Sequence, residues 1–268
     1  MKKVLSNDFV YQLVALVLAL IVVHLVYVTV IRPNADAILG AQADRVAQGE
    51  AFVPDRSLYV VLRDYEQESC FVLMLWAMSI MGMKTRNSFR ERRMLEERFI
   101  NVSEGMSILP EDARLYSRPL QALPDATRRT LLPRTLLAAL QRFAATQHVQ
   151  DVSDTVRSVC EAESDHLDSE LAMIRYIAWA IPSIGFIGTV RGIGDALGQA
   201  YRAVEGDIAG VTTSLGVAFN STFVALVISI VIMFLMHQVQ LVQERLVLDT
   251  QHYCEEHLIR HLQARDAL

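Results

Sequence analysis

From residue 208 to residue 243 the chain carries no Asp, Glu, Lys or Arg. This run constrains the fold more than any other feature. A helix rising 1.5 Å per residue needs roughly 20 such residues to cross a hydrocarbon core of about 30 Å. Residues 9–31 form a second charge-free run, whose polar members are Tyr11, Gln12, His24, Tyr27 and Thr29. A third, 171–197, holds Arg175 near one end and Arg191 with Asp195 near the other. A fourth block, 69–83, is only 15 residues long. The chain as a whole is 52% hydrophobic and 21% charged, close to a soluble protein. It is therefore the segregation of charge that argues against one globular enzyme and predicts an all-α membrane protein.

Orientation follows from the flanks. Lys84, Arg86, Arg90, Arg92, Arg93 and Arg98 follow the short block at once and mark a cytoplasmic side by the positive-inside rule. Lys2 and Lys3 place the N-terminus on that side too, so an even number of spans intervenes and the short block counts as the second. Residues 58–62 extend that helix outward, with Arg63, Asp64, Glu66 and Glu68 at the outer interface. Residues 1–8 are then cytoplasmic, 9–31 the first span, 32–57 an outer segment, and 58–84 the second span with its outer extension. A cytoplasmic helical region covers 85–170, the third span 171–197, an outer loop 198–210, the fourth span 211–237, and a cytoplasmic tail 238–268. Ala35-Asp36-Ala37 resembles a signal-peptidase site, but the apolar run before it exceeds the roughly 7–15 residues of a secretory signal, so the first span is expected to be retained. In the cytoplasmic region Pro110, Pro119, Pro124 and Pro133 break the middle, while 136–149 and 152–167 have helical apolar spacing, so the second and third spans are expected to continue as helices beyond the membrane. Val239, Val242, Leu246 and Tyr253 extend the fourth span as an amphipathic helix.

Other chemistries are poorly represented. A net charge of −5 lacks the basic footprint of nucleic-acid binding. Three dispersed cysteines, Cys70, Cys160 and Cys254, give neither a disulfide framework nor a zinc pattern. His252, Cys254, His257 and His261 share the tail, but histidines near a helix C-terminus also suit its dipole, and no metal or cofactor is expected. The glycines from 192 to 198 miss the dinucleotide spacing, and 81–85 lacks the glycine and Gly-Lys step of a phosphate loop. No enzymatic activity is expected.

Between membrane helices, close packing depends on small residues. The third span offers Gly188 with Gly192, and Gly194 with Gly198; Pro182 removes a backbone donor and is expected to kink the helix. The fourth span places Ser214, Ala218, Thr222, Ala225 and Ser229 on one face. Two readings are open: helix packing, or a narrow polar path. With outer ends near 197 and 211, Thr189 lies roughly 12 Å deep and Thr222 roughly 16 Å, with Ser221 and Asn220 nearby. Asn220 then needs a partner or a water-filled cavity. Arg191 and Asp195, spaced i,i+4, suit each other as a pair at the outer mouth. An ion path usually needs an intramembrane acid or histidine; the fourth span has none, so the carboxylate is expected from another chain.

Residues 181–197, IPSIGFIGTVRGIGDAL, resemble the signature of the MotA/TolQ/ExbB proton-channel family, notably Gly185, Gly188-Thr189-Val190 and Gly192. The span 211–227 is similar to that family's last span, with Thr222 on its threonine. The resemblance implies a homopentamer in a bacterial inner membrane. Its pore would be lined by Thr189, Thr222, Ser221, Asn220, Ser214 and Ala218. Inside it would stand two single-span helices of a partner resembling MotB, TolR or ExbD, each with a membrane aspartate carrying H⁺ or Na⁺. Ion flow would then drive motion. Two positions depart from the pattern: Val217 stands where ExbB-like and TolQ-like chains carry a glutamate, and Arg191 where a neutral residue is usual. The alternative is a membrane scaffold without ion flux, the basic 84–98 segment contacting lipid or partner.

Overall fold

The computed structural model describes residues 2–48, 57–100, 102 and 106–263. The end of the expected outer segment, 49–56, and the last five tail residues lie outside them. Among the described residues the chain is helical and has no strand beyond one isolated bridge, Ile108 with Leu262. The helices are α1 (Lys2–Val26), α2 (Arg32–Ala47), α3 (Leu58–Val61), α4 (Tyr65–Met94), α5 (Ala113–Gln121), α6 (Asp125–Arg128), α7 (Leu131–Thr146), α8 (Val149–Glu170), α9 (Ala172–Gly198), α10 (Ala200–Val204) and α11 (Ala209–His257). Three stretches are long and apolar enough to cross a membrane: Phe9–Arg45, Val149–Gly198 and Ala209–His261. The short second block is not among them. It lies within α4, whose charge-free part, residues 69–83, is about 22 Å long at 1.5 Å per residue.

Two compact units divide the chain, one comprising Met1–Gly82 with Met173–Met236, the other Met83–Ala172 with His237–Leu268. In the first unit α1 passes into α2 through a widened π turn, Tyr27–Ile31, in which the Arg32 N–H donates to the Tyr27 carbonyl. Pro33 follows at once and has no N–H to continue the α-helical ladder, which accounts for the local change of pitch. α4 packs on α1 through Trp76 Nε1, which donates to the Gln12 carbonyl at 2.9 Å, and through a 2.9 Å hydroxyl contact between Tyr11 and Ser79. Residues 58–62 do not simply prolong α4 as expected: α3 ends at Val61, and the chain turns through Leu62–Asp64 before α4 starts.

The second unit is built around a hydrophobic core. Leu132, Leu136, Leu140 and Phe143 of α7, Val152, Val156 and Cys160 of α8, and Leu246, Tyr253, Cys254 and Leu258 near the chain end form one buried cluster. α7 starts earlier than the spacing suggests, because Glu91 caps it: its carboxylate accepts the Leu131 N–H at 3.0 Å. Burial pushes the Glu91 carboxyl above its ordinary range. Gln147 ends α7 in the left-handed region (φ 59°), its N–H reaching back to the Phe143 carbonyl at 2.9 Å. Neither Pro119 nor Pro133 breaks a helix. Pro119 lies inside α5, and Pro133 falls in the first turn of α7, where a missing donor is harmless. Residues 261–263 are pinned where Ile108 donates to the His261 carbonyl at 2.7 Å and accepts from the Gln263 N–H at 3.1 Å.

Candidate functional site

The third and fourth predicted spans meet along a seam of small residues. A Cβ added at Gly188 would stand 2.6 Å from Ser221 Cβ, and one at Gly192 would stand 2.8 Å from Ala218 Cβ, Ala218 N and the Ser214 carbonyl oxygen. At Gly185 the added atom would collide with Ala225. These three glycines therefore let the α9 and α11 backbones touch, as small residues do between membrane helices. Gly194 and Gly198 do not take part: a Cβ at either meets nothing within 4 Å. Their expected role as a second packing pair is not seen within this chain.

Hydroxyls lock the seam. Thr189 Oγ1 contacts the Ala218 carbonyl of α11 at 3.1 Å, while Thr222 Oγ1 donates to the Gly185 carbonyl of α9 at 3.1 Å. The two hydroxyls also contact each other, so each helix lends the other a donor and an acceptor. Pro182 adds a further tie. It has no N–H for the Ala178 carbonyl, and that carbonyl accepts Ser229 Oγ of α11 at 3.0 Å. α9 nevertheless continues as one helix through Pro182. The small face of the fourth span is thus turned towards the third, with Ala218 and Ser221 buried. Ser221 Oγ donates to the Val217 carbonyl at 3.0 Å, and Ser214 Oγ accepts from Gln199 Nε2 at 3.0 Å. Asn220 is half-buried and turns instead to a cavity bordered by α2, Val60 to Asp64 and α11.

At the start of α4 a charged layer borders this seam. Arg191 makes a two-pronged ion pair with Glu66, at 2.7 and 2.9 Å. Asp64 and Asp195 lie farther from it, at 3.8 and 3.9 Å. The expected Arg191–Asp195 pair is therefore secondary. A side chain four residues along the same helix cannot match the bidentate geometry that a carboxylate from a facing helix offers. Glu68 pairs with Arg32 and with His24 Nδ1, the latter at 2.7 Å, and the Arg32 guanidinium lies 4.3 Å over the Tyr65 ring. Gln67, fully buried between them, donates to the Val61 carbonyl at 3.1 Å and to Ser221 Oγ at 3.3 Å. The sequence places Glu66 and Glu68 near an interface but does not point to His24 and Arg32 as partners of Glu68, or to Gln67 as a partner of Ser221. A stronger signal was available in the unusual Arg191, which requires a carboxylate from elsewhere.

The threonines lie close to this layer. Thr189 lies two residues from Arg191, about 3 Å along the helix axis. α9 runs on for seven residues past Arg191, about 10 Å. The threonine pair is therefore next to the charged layer.

In the other unit, the tail histidines do not converge. His257 stacks on Tyr253 with ring centroids 4.3 Å apart, His252 faces Glu256 at 3.6 Å, and Cys254 is buried. Among the described residues no three His, Cys, Asp or Glu side chains come together as a metal site.

The helices and their seam define a membrane protein with several apolar helices, the last two joined through small and hydroxyl-bearing side chains. Residues 127–252, which include α7, α8, α9 and most of α11, match the model of the MotA/TolQ/ExbB proton channel family, and the chain carries a domain of that family there. Comparison with curated proteins and with solved structures yields no match.

Proposed function

We propose that this chain is a channel subunit that assembles around a single-span partner bearing a membrane aspartate and converts H⁺ or Na⁺ flow into motion. One observation carries the reading: a reciprocal threonine seam joins two helices of a proton-channel family domain, and neither helix has an acidic residue in its apolar part. Each hydroxyl proton has an acceptor inside the pair, a backbone carbonyl or the other hydroxyl, and the lone pairs that remain can accept from a protonated carboxyl or a hydrated ion. The titrating acid then comes from the partner, expected in two copies within a homopentamer. One charge crossing 100 mV releases roughly 2.3 kcal/mol, enough to drive a mechanical step.

The reading includes four spans with both ends cytoplasmic, in a bacterial inner membrane. Arg32, Glu66, Glu68 and Arg191 mark the outer boundary, and the charge-free part of α4 is the second crossing. Its length of about 22 Å falls short of a 30 Å core, a mismatch that local thinning and snorkelling flanks accommodate. A scaffold without flux is the second reading, favoured by the satisfaction of both hydroxyl protons inside the helix pair.

Reconstitution with a co-expressed single-span partner decides between them. The complex should conduct in vesicles under a proton or sodium gradient, and the chain alone should not. Thr222→Val should leave assembly intact and lower flux about tenfold, the effect of one hydrogen bond worth about 1.4 kcal/mol. A partner complex without flux, or full flux in the variant, refutes the pathway and favours the scaffold.

A further inference from the structure

A cavity of about 480 Å³ opens between α2, the turn from α3 into α4, and the first turns of α11. Its wall is apolar at Val60, Leu215 and Phe219 and polar at Arg63, Asp64 and Asn220. Three polar side chains here retain hydrogen-bonding capacity. The Asp64 side chain is only 19% exposed and its nearest cation, an Arg191 nitrogen, is 3.8 Å away; among the described residues it accepts no hydrogen bond. A carboxylate so far withdrawn from water is costly until donors reach it. Arg63 commits one nitrogen to Asp36 at 3.0 Å, and its guanidinium has five N–H donors in all. The Asn220 amide has no hydrogen-bond partner among the described residues.

The cavity has a definite level. Ala218 faces Gly192, the residue after Arg191, so the lining from Thr212 to Asn220 brackets the charged layer. If α9 and α11 cross a bilayer, lipid headgroups lie at this height. A fitting ligand carries an anion and an N–H-bearing cation close together on an apolar body. We propose that the cavity holds the headgroup of an ethanolamine phospholipid. The phosphate lies against Arg63, the ammonium donates to Asp64 and the Asn220 carbonyl, and the first part of an acyl chain rests on Val60, Leu215 and Phe219. A choline headgroup has no N–H for Asp64, and a glycerol headgroup brings no positive charge. The volume suits a headgroup and glycerol, within the range of ligand pockets. This inference needs a membrane-embedded chain but not ion conduction.

The test exchanges the purified full-length oligomer into nanodiscs with equal ethanolamine, choline and glycerol phospholipids of one acyl composition, and reads retained lipid by native mass spectrometry. The wild-type chain should retain ethanolamine lipid about tenfold over each competitor, the worth of one charged hydrogen bond. Asp64→Asn should erase the preference over choline, Arg63→Gln should lower retention of all three, and Asp207→Asn in the outer loop should change nothing. Equal retention by the wild type, or a preference surviving both cavity substitutions, overturns the proposal. Should a variant fail to assemble, competition on the wild type decides: phosphoethanolamine must displace the bound lipid more readily than phosphocholine, and equal displacement overturns it.

Discussion

Replacing Gly192 by alanine adds one methyl group at the tightest backbone-to-backbone point of the α9–α11 seam. The new Cβ would sit 2.8 Å from Ala218 Cβ, Ala218 N and the Ser214 carbonyl oxygen. Optimal carbon contacts begin near 3.5 Å, so the helices must part by about 0.7 Å, and two of the three obstructing atoms are backbone that cannot rotate aside. A gap of that size forfeits roughly a quarter to a half of the dispersion energy across the seam. It also stretches the Thr189 contact with the Ala218 carbonyl from 3.1 Å, a bond worth about 0.6 kcal/mol in membranes. The expected loss is about 1–3 kcal/mol. Gly194→Ala, two residues on, meets nothing within 4 Å and should gain about 0.8–1 kcal/mol of helix propensity. One chemical change should thus move stability in opposite directions at neighbouring positions. Equilibrium unfolding in mixed micelles, followed by tryptophan fluorescence, measures both. If Gly192→Ala proves as stable as Gly194→Ala, the helices do not touch there and the account of the seam fails.

The tail core and its buried acid give two further tests. Tyr253 donates to the Glu97 carbonyl and accepts the Phe99 N–H, each at 3.1 Å; Tyr253→Phe strands that N–H and should cost about 1–2 kcal/mol in thermal unfolding, so an unchanged transition would count against the pairing. Glu91 is an acid whose folded-state pKa is raised by burial above its usual 4.5. The folded chain then holds this proton to higher pH than the unfolded chain, and the group's contribution to stability declines as pH rises from about 4.5 until the folded carboxyl has ionised. Glu91→Gln should remove that slope, so the stability of the wild type relative to the variant should fall as pH rises above about 4.5; a constant difference would show that Glu91 does not titrate abnormally.

Periodicity and charge segregation made the helices legible, and the spacing of Gly188 and Gly192 marks the face of α9 that meets α11, to which Gly185, noted only through the family resemblance, also belongs. Their partners on α11 were legible too, since Ser214, Ala218, Thr222, Ala225 and Ser229 recur at helical spacing. Gly194 and Gly198 have equally good spacing and contact nothing in the chain, because spacing specifies a face and not what lies opposite it. The start of α7 was misjudged for a similar reason. Glu91 caps it from 40 residues away, and no local signal announces a cap supplied by another helix.

The same limit applies to the level of one helix against another. Hydropathy counts residues inward from the end of each apolar block and treats blocks as independent. On that count Arg191 is a lone cation inside the third block, and the second block is merely shorter than the others. The contacts join these two anomalies. Glu66 at the start of α4 pairs with Arg191, so α4 begins level with a point seven residues inside the end of α9. A short second helix and a charged third helix then account for each other: the arginine that breaks the apolar run sits where the shorter helix supplies its carboxylate. The two partners are unequal: without Arg191 the Glu66 carboxylate, only 12% exposed, loses its bidentate partner beside the threonine seam, whereas Arg191, 43% exposed, keeps water, Asp64 and Asp195, so Arg191→Gln should cost more stability than Glu66→Gln.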